Sequence, residues 1–383
     1  MAISMKGCGT PNLRPLEHIS PTSVFIMENC FLQKCFDVDP CYRDRTFRGP
    51  KARLGSVCHE ILARVTRGEL AGVAKPQRRP KLAEMWKEEV AKEEELLRSS
   101  PVESHFGPAL RWPGYAIQRA RVTRKAQNLS ERLHPARSGA GRIWPEKSYQ
   151  AYQGRLRGRV DLVYSSGGRT EIGDYKTGDI YETRGDEDPP VLKSHYRRQL
   201  LLYAAMHHDS TGHWPVAGHI IPLTGDRATV RISPAEAQRE VEAALGLLDR
   251  FNTEVTRAHS PELLASPSQH ACRPCSYKAF CEPFWTCISP DWDWEQSVAI
   301  EGVALRIHGS VAREWTIEAR VEHGNLAAGV YNIRGNRRAR LRSGQQGRIV
   351  NLMRDEVRER STLVLTDYTE LWTTSMLQRA YFA

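Results

Sequence analysis

Two aspartates and a lysine stand close together in residues 158–178, GRVDLVYSSGGRTEIGDYKTG. Alternating apolar residues on both sides of the turn at residues 165–168 predict a β-hairpin. Because strand side chains alternate between two faces, Asp174 and Lys176 are expected on one face. The paired strand can then bring Asp161 alongside them. The hairpin therefore predicts a cluster of two carboxylates and one ammonium group.

This cluster has the composition of a divalent-metal site. Converging carboxylates supply the hard oxygen ligands that Mg²⁺ and Mn²⁺ prefer. Such an ion lowers the pKa of a bound water and neutralises charge on a phosphodiester in the transition state. A neighbouring lysine can orient the water or stabilise the developing charge. The residue types favour metal-dependent phosphodiester hydrolysis, and the alternative is an exposed hairpin with ordinary surface charges.

The combination of GRxD with DYKTG resembles the RecB-like branch of the PD-(D/E)XK nuclease superfamily. That resemblance implies that Asp161 and Asp174 bind the metal and that Lys176 is the catalytic lysine. The peptide carbonyl of Tyr175 would be a further ligand. It also implies an α/β fold, a restriction-endonuclease-like core whose mixed sheet carries the hairpin and is flanked by helices.

Four further residues fit the same family pattern. His59, in LGSVCHEIL, resembles an additional metal ligand on an upstream helix, and the alternative is a core histidine. Glu146, in WPEKSY, resembles the acidic residue that often precedes GRxD, although a plain surface glutamate is the alternative. Gln199 and Tyr203 match the QxxxY motif, which contacts DNA or braces the site. Tyrosine as a packing residue is the alternative for that motif.

The nine cysteines are an odd number in a chain without a recognisable secretory leader, which favours reduced thiols or metal ligands over a disulfide framework. Cys272, Cys275 and Cys281 form C-x2-C-x5-C, and the first pair has the spacing of ligands to one metal centre. A fourth ligand is needed. Cys287 is available locally, and a distant cysteine from the N-terminal region is the alternative.

The segment HISPTSVFIMENCFLQKCF resembles the start of RecB-family nucleases with a four-cysteine iron–sulfur cluster, including AddB-like and CRISPR-associated exonucleases. The resemblance implies a structural [4Fe-4S] cluster on Cys30, Cys272, Cys275 and Cys281. Phe31 stands where the family usually has proline, and Cys35 remains a competitor of Cys30. Zinc is the alternative metal, and free structural thiols are the third alternative.

Composition divides the chain into a nuclease domain over residues 1–290 and a small all-β, OB-like domain over residues 298–383. Residues 1–50 are expected to form an irregular arm with one short helix. The C-terminal segment carries basic and aromatic residues suited to binding single-stranded nucleic acid. These are Arg334, Arg337, Arg338, Arg340 and Arg342, with Trp315, Tyr331 and Trp372 as stacking candidates.

A formal net charge of +10 favours a polyanionic partner. No apolar run reaches the roughly 18–20 residues of a membrane span, and the N-terminus lacks the apolar core of a secretory signal. A cytoplasmic protein that does not enter a membrane is therefore expected.

The leading hypothesis is a Mg²⁺- or Mn²⁺-dependent deoxyribonuclease acting on single-stranded or partly unwound DNA ends in repair, recombination or defence. A helicase or another repair or defence protein is an expected partner. The alternative is a non-catalytic DNA-binding or scaffold subunit of a helicase–nuclease complex, against which the intact set of Asp161, Asp174 and Lys176 argues. A third hypothesis is a metal-dependent phosphodiesterase that acts on RNA, because no residue pattern in the sequence indicates a contact with the 2′-hydroxyl.

Overall fold

Two β-sheets organise the chain, and the computed structural model describes residues 10–100, 103, 106–138, 141–183, 189–309, 315–335, 341–355, 362–366 and 369–373. The strands are β1 (Gly141–Ala151), β2 (Leu156–Ser166), β3 (Arg169–Lys176), β4 (Tyr181–Glu182), β5 (Val191–Leu192), β6 (Ala217–Pro222), β7 (Ala228–Arg231), β8 (Ser297–Gly309), β9 (Trp315–Gly324), β10 (Gly329–Gly335), β11 (Gln346–Arg354), β12 (Thr362–Val364) and β13 (Glu370–Thr373). The helices are α1 (Pro21–Asn29), α2 (Phe31–Val38), α3 (Pro40–Arg43), α4 (Gly49–Arg67), α5 (Lys75–Ser99), α6 (Tyr115–Ser138), α7 (Ser194–Thr211), α8 (Pro234–Arg257), α9 (Gln269–Cys272) and α10 (Glu282–Cys287).

The first sheet has the order β1-β2-β3-β6-β7 and is mixed. β1, β2 and β3 pair antiparallel, whereas β3 and β6 pair parallel. A parallel pair needs a crossover, and α7 lies within that connection. One apolar cluster joins the sheet to α7 and α8, and a second joins it to α4, α5 and α6. The predicted α/β fold with a helix-flanked mixed sheet is confirmed.

Glycine at position 158 permits close packing of the first motif strand against two helices. A Cβ atom there would lie 3.1 Å from Pro21 Cδ of α1 and 3.1 Å from Tyr203 Cε1 of α7. Both distances are tighter than ordinary van der Waals contact, so a larger residue would push the helices away. The glycine of the GRVD motif thus serves the packing of β2.

The N-terminal region contains three helices in its described part, so the prediction of one short helix was wrong. Ser20 caps α1 by accepting a hydrogen bond from the Ser23 N–H, with Pro21 as the first helical residue. Asp39 caps α3 in the same way, with Pro40 following it. Two such cap-and-proline signals fix two separate helix starts. Ile19 also exchanges backbone hydrogen bonds with Arg155 and Arg157, which attaches the region to β2.

The second sheet closes into a barrel of five strands. Its order is β12-β10-β9-β8-β11, and an additional β11–β12 pairing completes the ring, with β13 added on β11. Only the β10–β12 pair of this described sheet is parallel. An apolar core fills the barrel. The predicted small all-β barrel is confirmed.

Two details of that barrel bear on the predicted nucleic-acid contacts. Trp372 is only 2% exposed and packs against Phe280, with ring centroids 4.5 Å apart. Its proposed role as a stacking surface was therefore wrong, because the ring is used to join the barrel to the first domain. Arg337, Arg338 and Arg340 lie outside the described residues. No helix in the described part of the chain is long and apolar enough to cross a bilayer.

A buried ion pair fixes the start of α4, the helix that carries His59. Arg53 donates to Glu93 at 2.9 Å and also to Glu103, whose side chain is 2% exposed. The Glu103 carboxylate also accepts from the N–H groups of Arg48 and Gly49, at the helix N-terminus. One carboxylate thus satisfies backbone donors that a helix start leaves free.

Replacing Glu103 with alanine is expected to lower the free energy of unfolding by about 3 kcal/mol, because it leaves a buried guanidinium short of its partner. Chemical denaturation of the purified variant measures this loss. The control is Glu95→Ala, whose ion pair with Arg98 is exposed and should contribute less than about 1 kcal/mol. Equal effects of the two substitutions would contradict the assignment.

Candidate active site

The β2–β3 hairpin places its two aspartates opposite each other. β2 and β3 pair antiparallel with Leu162 opposite Gly173, so the next pair along is Asp161 and Asp174. Asp174 is 4% exposed, because β3 is the central strand of the sheet. The alternation predicted from the sequence thus brings the two carboxyl groups to one end of the hairpin.

Asp161 is held by the backbone of the opposite strand. Its Oδ2 accepts a hydrogen bond of 2.7 Å from the Tyr175 N–H, and His59 Nδ1 lies 3.6 Å from the same oxygen. Burial lowers the pKa of His59, so its ring is neutral at pH 7, the form in which histidine binds metals. The Tyr175 side chain is buried under α4, where its hydroxyl lies 3.2 Å from Thr66 Oγ1.

Asp174 and Lys176 form the most buried charged pair of the site. Lys176 Nζ lies 2.6 Å from Asp174 Oδ2. Burial nevertheless raises the pKa of Asp174 to about 6, with the nearby Asp161 acting in the same direction and Lys176 opposing it. Burial likewise raises the pKa of Asp161, against the hydrogen bond from Tyr175. The two carboxyls therefore compete for cationic neighbours.

The QxxxY motif on α7 reaches the lysine. Gln199 Oε1 accepts from Lys176 Nζ at 3.1 Å, and its Nε2 donates to the Tyr203 hydroxyl at 3.1 Å. The Tyr196 ring, one turn earlier, lies 4.8 Å from the same ammonium group. Gln199 and Tyr203 are 6% and 4% exposed, so in this structure their contacts hold the Lys176 side chain in position. Their contact with a substrate stays a prediction.

Two arginines that sequence reasoning missed stand beside these groups. Glu146 lies between residues of β1 that pair with Leu162 and Val160, and so faces Asp161. Its carboxylate pairs with Arg67 of α4 and, at 3.3 Å, with Arg159 of β2. Glu146 adopts φ 48°, a conformation that non-glycine residues rarely take and that clusters at functional sites. The only sequence signal for Arg159 was its place in GRVD.

The donor set fits a hard divalent cation, although the described side chains do not form a ready-made metal cage. No group of three or more His, Cys, Asp or Glu side chains among the described residues is arranged to hold an ion as it stands. The chemistry still fits, because Asp161 and Asp174 supply carboxylate oxygens and His59 a neutral imidazole. Asp174 Oδ2 is also shielded from solvent, and Lys176 Nζ, although 2.6 Å away, is not oriented to donate a hydrogen bond to it.

The four predicted cluster cysteines converge on one small pocket. Cys30, Cys272, Cys275 and Cys281 all line it, whereas Cys35 and Cys287 do not. Cys35 is buried without lining the pocket, and Cys287 is exposed. Burial raises the pKa of Cys275 to about 12, so a bound metal would have to displace protons from these thiols. The described thiols are not gathered at ligation distance around one point.

Lys278 is a buried cation in the wall of the same pocket. Its ammonium group donates to Arg273 O at 2.7 Å and to Asn351 Oδ1 at 2.9 Å. On the barrel side the negative charge of Glu370 acts on Lys278, and the Glu370 carboxylate accepts from Asn351 Nδ2 at 3.2 Å. Since a buried charge needs compensation, thiolates in the pocket would supply it from the other side.

The raised pKa of Asp174 predicts a pH-dependent loss of stability in metal-free protein. The folded state keeps the proton up to about pH 6, whereas the unfolded state loses it near pH 4, so stability falls as pH rises through this window. Asp174→Asn removes the part of the fall that this carboxyl causes, whereas Asp161, whose pKa is also raised by burial, contributes to the fall in both proteins. The free energy of unfolding of this variant, relative to that of wild type, should rise by about 3 kcal/mol between pH 4 and 7, because each unit of pKa shift corresponds to about 1.4 kcal/mol.

Urea denaturation in the presence of a chelator measures that difference. Asp179→Asn changes an exposed aspartate just beyond β3 and is the matched control, expected to follow wild type at every pH. A constant offset between Asp174→Asn and wild type across the range would contradict the account.

The comparison with known families agrees with this geometry. The family model described as the PD-(D/E)XK nuclease superfamily matches residues 18–282, which include the hairpin, α4, α7 and the cysteine pocket. No curated protein matches the chain. Because the match covers more than half of the sequence, the chain belongs to the PD-(D/E)XK nuclease superfamily.

Proposed function

We propose that this protein is a Mg²⁺- or Mn²⁺-dependent nuclease that hydrolyses DNA. The observation that carries the proposal is the meeting of Asp161, Asp174 and Lys176 at one end of a buried hairpin. Asp174 is 4% exposed and lies 2.6 Å from the lysine. A structural hairpin would gain nothing from burying such a pair, since desolvation offsets its attraction.

Each residue has a chemical part in this proposal. When bound, the cation would supply an activated water and neutralise charge on the scissile phosphate. Asp161, Asp174, the Tyr175 carbonyl and neutral His59 would hold it. Lys176, fixed in place by Gln199 and the Tyr196 ring, would stabilise the negative charge that develops on the phosphate.

The proposed substrate is single-stranded DNA or a partly unwound end. The net charge of +10 and the five-stranded barrel beside the core support a single-strand substrate, because small barrels of the OB type bind such strands. A strand of this kind is what a helicase delivers, so a helicase or another repair or defence protein is the proposed partner. The choice of DNA over RNA rests on resemblance to RecB-like enzymes.

Cleavage of end-labelled single-stranded DNA in Mn²⁺ tests the active site directly. Asp174→Asn and Lys176→Met should each lower the rate by at least about 100-fold, since each removes an electrostatic contribution made in the transition state. The control is Lys193→Met, which changes a half-buried lysine that donates to Asp179 O, and this variant should cleave at the wild-type rate.

Cleavage that survives in Asp174→Asn and Lys176→Met would remove the active-site assignment. Wild-type protein that binds the strand but never cleaves it in Mn²⁺ or Mg²⁺ would favour the alternative of a non-catalytic DNA-binding subunit.

We further propose that the cysteine pocket holds a structural [4Fe-4S] cluster on Cys30, Cys272, Cys275 and Cys281, with zinc as the alternative metal. The shared pocket and the buried ammonium of Lys278 support a negatively charged, thiolate-bound centre there. Cys30 immediately precedes α2 and the other three follow α8. Such a centre would therefore join the two ends of the nuclease domain, and the resemblance to RecB-like enzymes with this cluster would extend beyond the hairpin.

Substitution of single cysteines identifies the fourth ligand. Cys30→Ser should abolish the visible absorption and the bound iron of anaerobically purified protein, whereas Cys287→Ser should retain both, because Cys287 is exposed outside the pocket. The reverse pattern would overturn the assignment of Cys30. If the purified protein contains one equivalent of zinc and shows no visible absorption, the metal of the pocket is zinc and not an iron–sulfur cluster.

A further inference from the structure

A cleft of about 900 Å³ opens on the sheet away from the catalytic side chains. It lies between α6, the strands β2, β3 and β6, and the loop that leads to β7. Because side chains alternate along β3, Glu171 and Gly173 face this cleft while Asp174 faces α7. The cleft is thus on the reverse of the catalytic hairpin, and none of the nuclease residues lines it.

The floor of the cleft is apolar and its wall carries an aromatic ring. Leu162 and Ile221 form the floor, and Gly173 between them has no side chain, since a Cβ there would lie 3.0 Å from Ile221 Cδ1. Tyr164 contributes the ring. Flat apolar surfaces with an aromatic group are what the faces of nucleic-acid bases stack on.

Cations stand at the rim of the cleft. Arg124 of α6 and Arg227 of the loop after β6 are both exposed, and neither forms an ion pair with a residue that the structure describes. Lys125 adds a third positive group. Two acidic side chains also line the cleft: Asp226 is exposed, and Glu171 accepts a hydrogen bond from His219 Nε2 at 3.0 Å. Cations therefore outnumber the carboxylates at this rim.

The cleft reaches the strand end that carries the catalytic lysine. Leu223, one of its lining residues, donates its N–H to the Lys176 carbonyl at 3.1 Å. A nucleic-acid strand bound in the cleft would therefore have one end beside the proposed nuclease site.

We propose that this cleft is a second binding site for single-stranded nucleic acid, separate from the catalytic centre. Arg124 and Arg227 bind phosphates at its rim, and the floor around Gly173 and Tyr164 receives bases. Its place in a nuclease rests on the proposed function, but the binding does not require a metal or a cleavage step.

The test measures binding of a fluorescent oligothymidylate by anisotropy at several salt concentrations, with chelator present so that no cleavage occurs. The double variant Arg124→Gln/Arg227→Gln should bind more weakly, and its plot of log affinity against log salt should be shallower by about 1.4, or about 0.7 for each lost phosphate contact. The control Arg239→Gln removes an exposed arginine of α8 and should match wild type.

Asp226→Asn provides the opposite test, because removing an anion from the rim should tighten binding, which a folding defect would not do. Unchanged affinity and salt slope in both cleft variants would overturn the proposal even if the wild type cleaves DNA. The predicted shifts in a protein that never cleaves would support the cleft and contradict the proposed nuclease.

Discussion

The burial of Asp174 is the constraint on which the rest of the site depends. Its strand is central in a five-stranded sheet, so the carboxyl group cannot turn to solvent, and burial raises its pKa to about 6. Lys176 offsets part of that cost at 2.6 Å. A divalent cation shared with Asp161 would offset the remainder. The fold thus keeps a carboxylate in a place where only cations make its charge favourable.

The elements that build the sheet also position the site. A parallel β3–β6 pair requires a crossover, and its helix α7 brings Gln199 to Lys176, with Tyr203 bonded to Gln199 behind it. On the other face α4 brings His59 to 3.6 Å from Asp161, and the buried pair of Arg53 and Glu103 fixes the start of that helix. The crossover helix that the sheet topology requires thus also supplies contacts to the candidate site.

What the sequence could predict was local. The two-residue period of a strand placed Asp174 and Lys176 on one face, and the glycine turn predicted the hairpin that carries Asp161. The contacts of Glu146 with Arg67 and Arg159 needed three separate elements to meet, and no short pattern encodes that meeting. From its residue type alone, Trp372 was expected to be an exposed stacking residue, but it is buried because the barrel packs against Phe280. The periodicity of a sequence predicts which side chains share a face of a strand or helix, whereas the burial of a side chain depends on which surfaces pack together in the folded protein.

The proposed nuclease site requires Asp161 and Asp174 to bind one divalent cation. Anomalous X-ray diffraction at the manganese absorption edge, from crystals soaked in Mn²⁺, tests it most directly. We expect a strong anomalous peak between the two carboxylates, beside the Tyr175 carbonyl. A well-ordered site without such a peak, or a manganese ion bound only elsewhere, would contradict it.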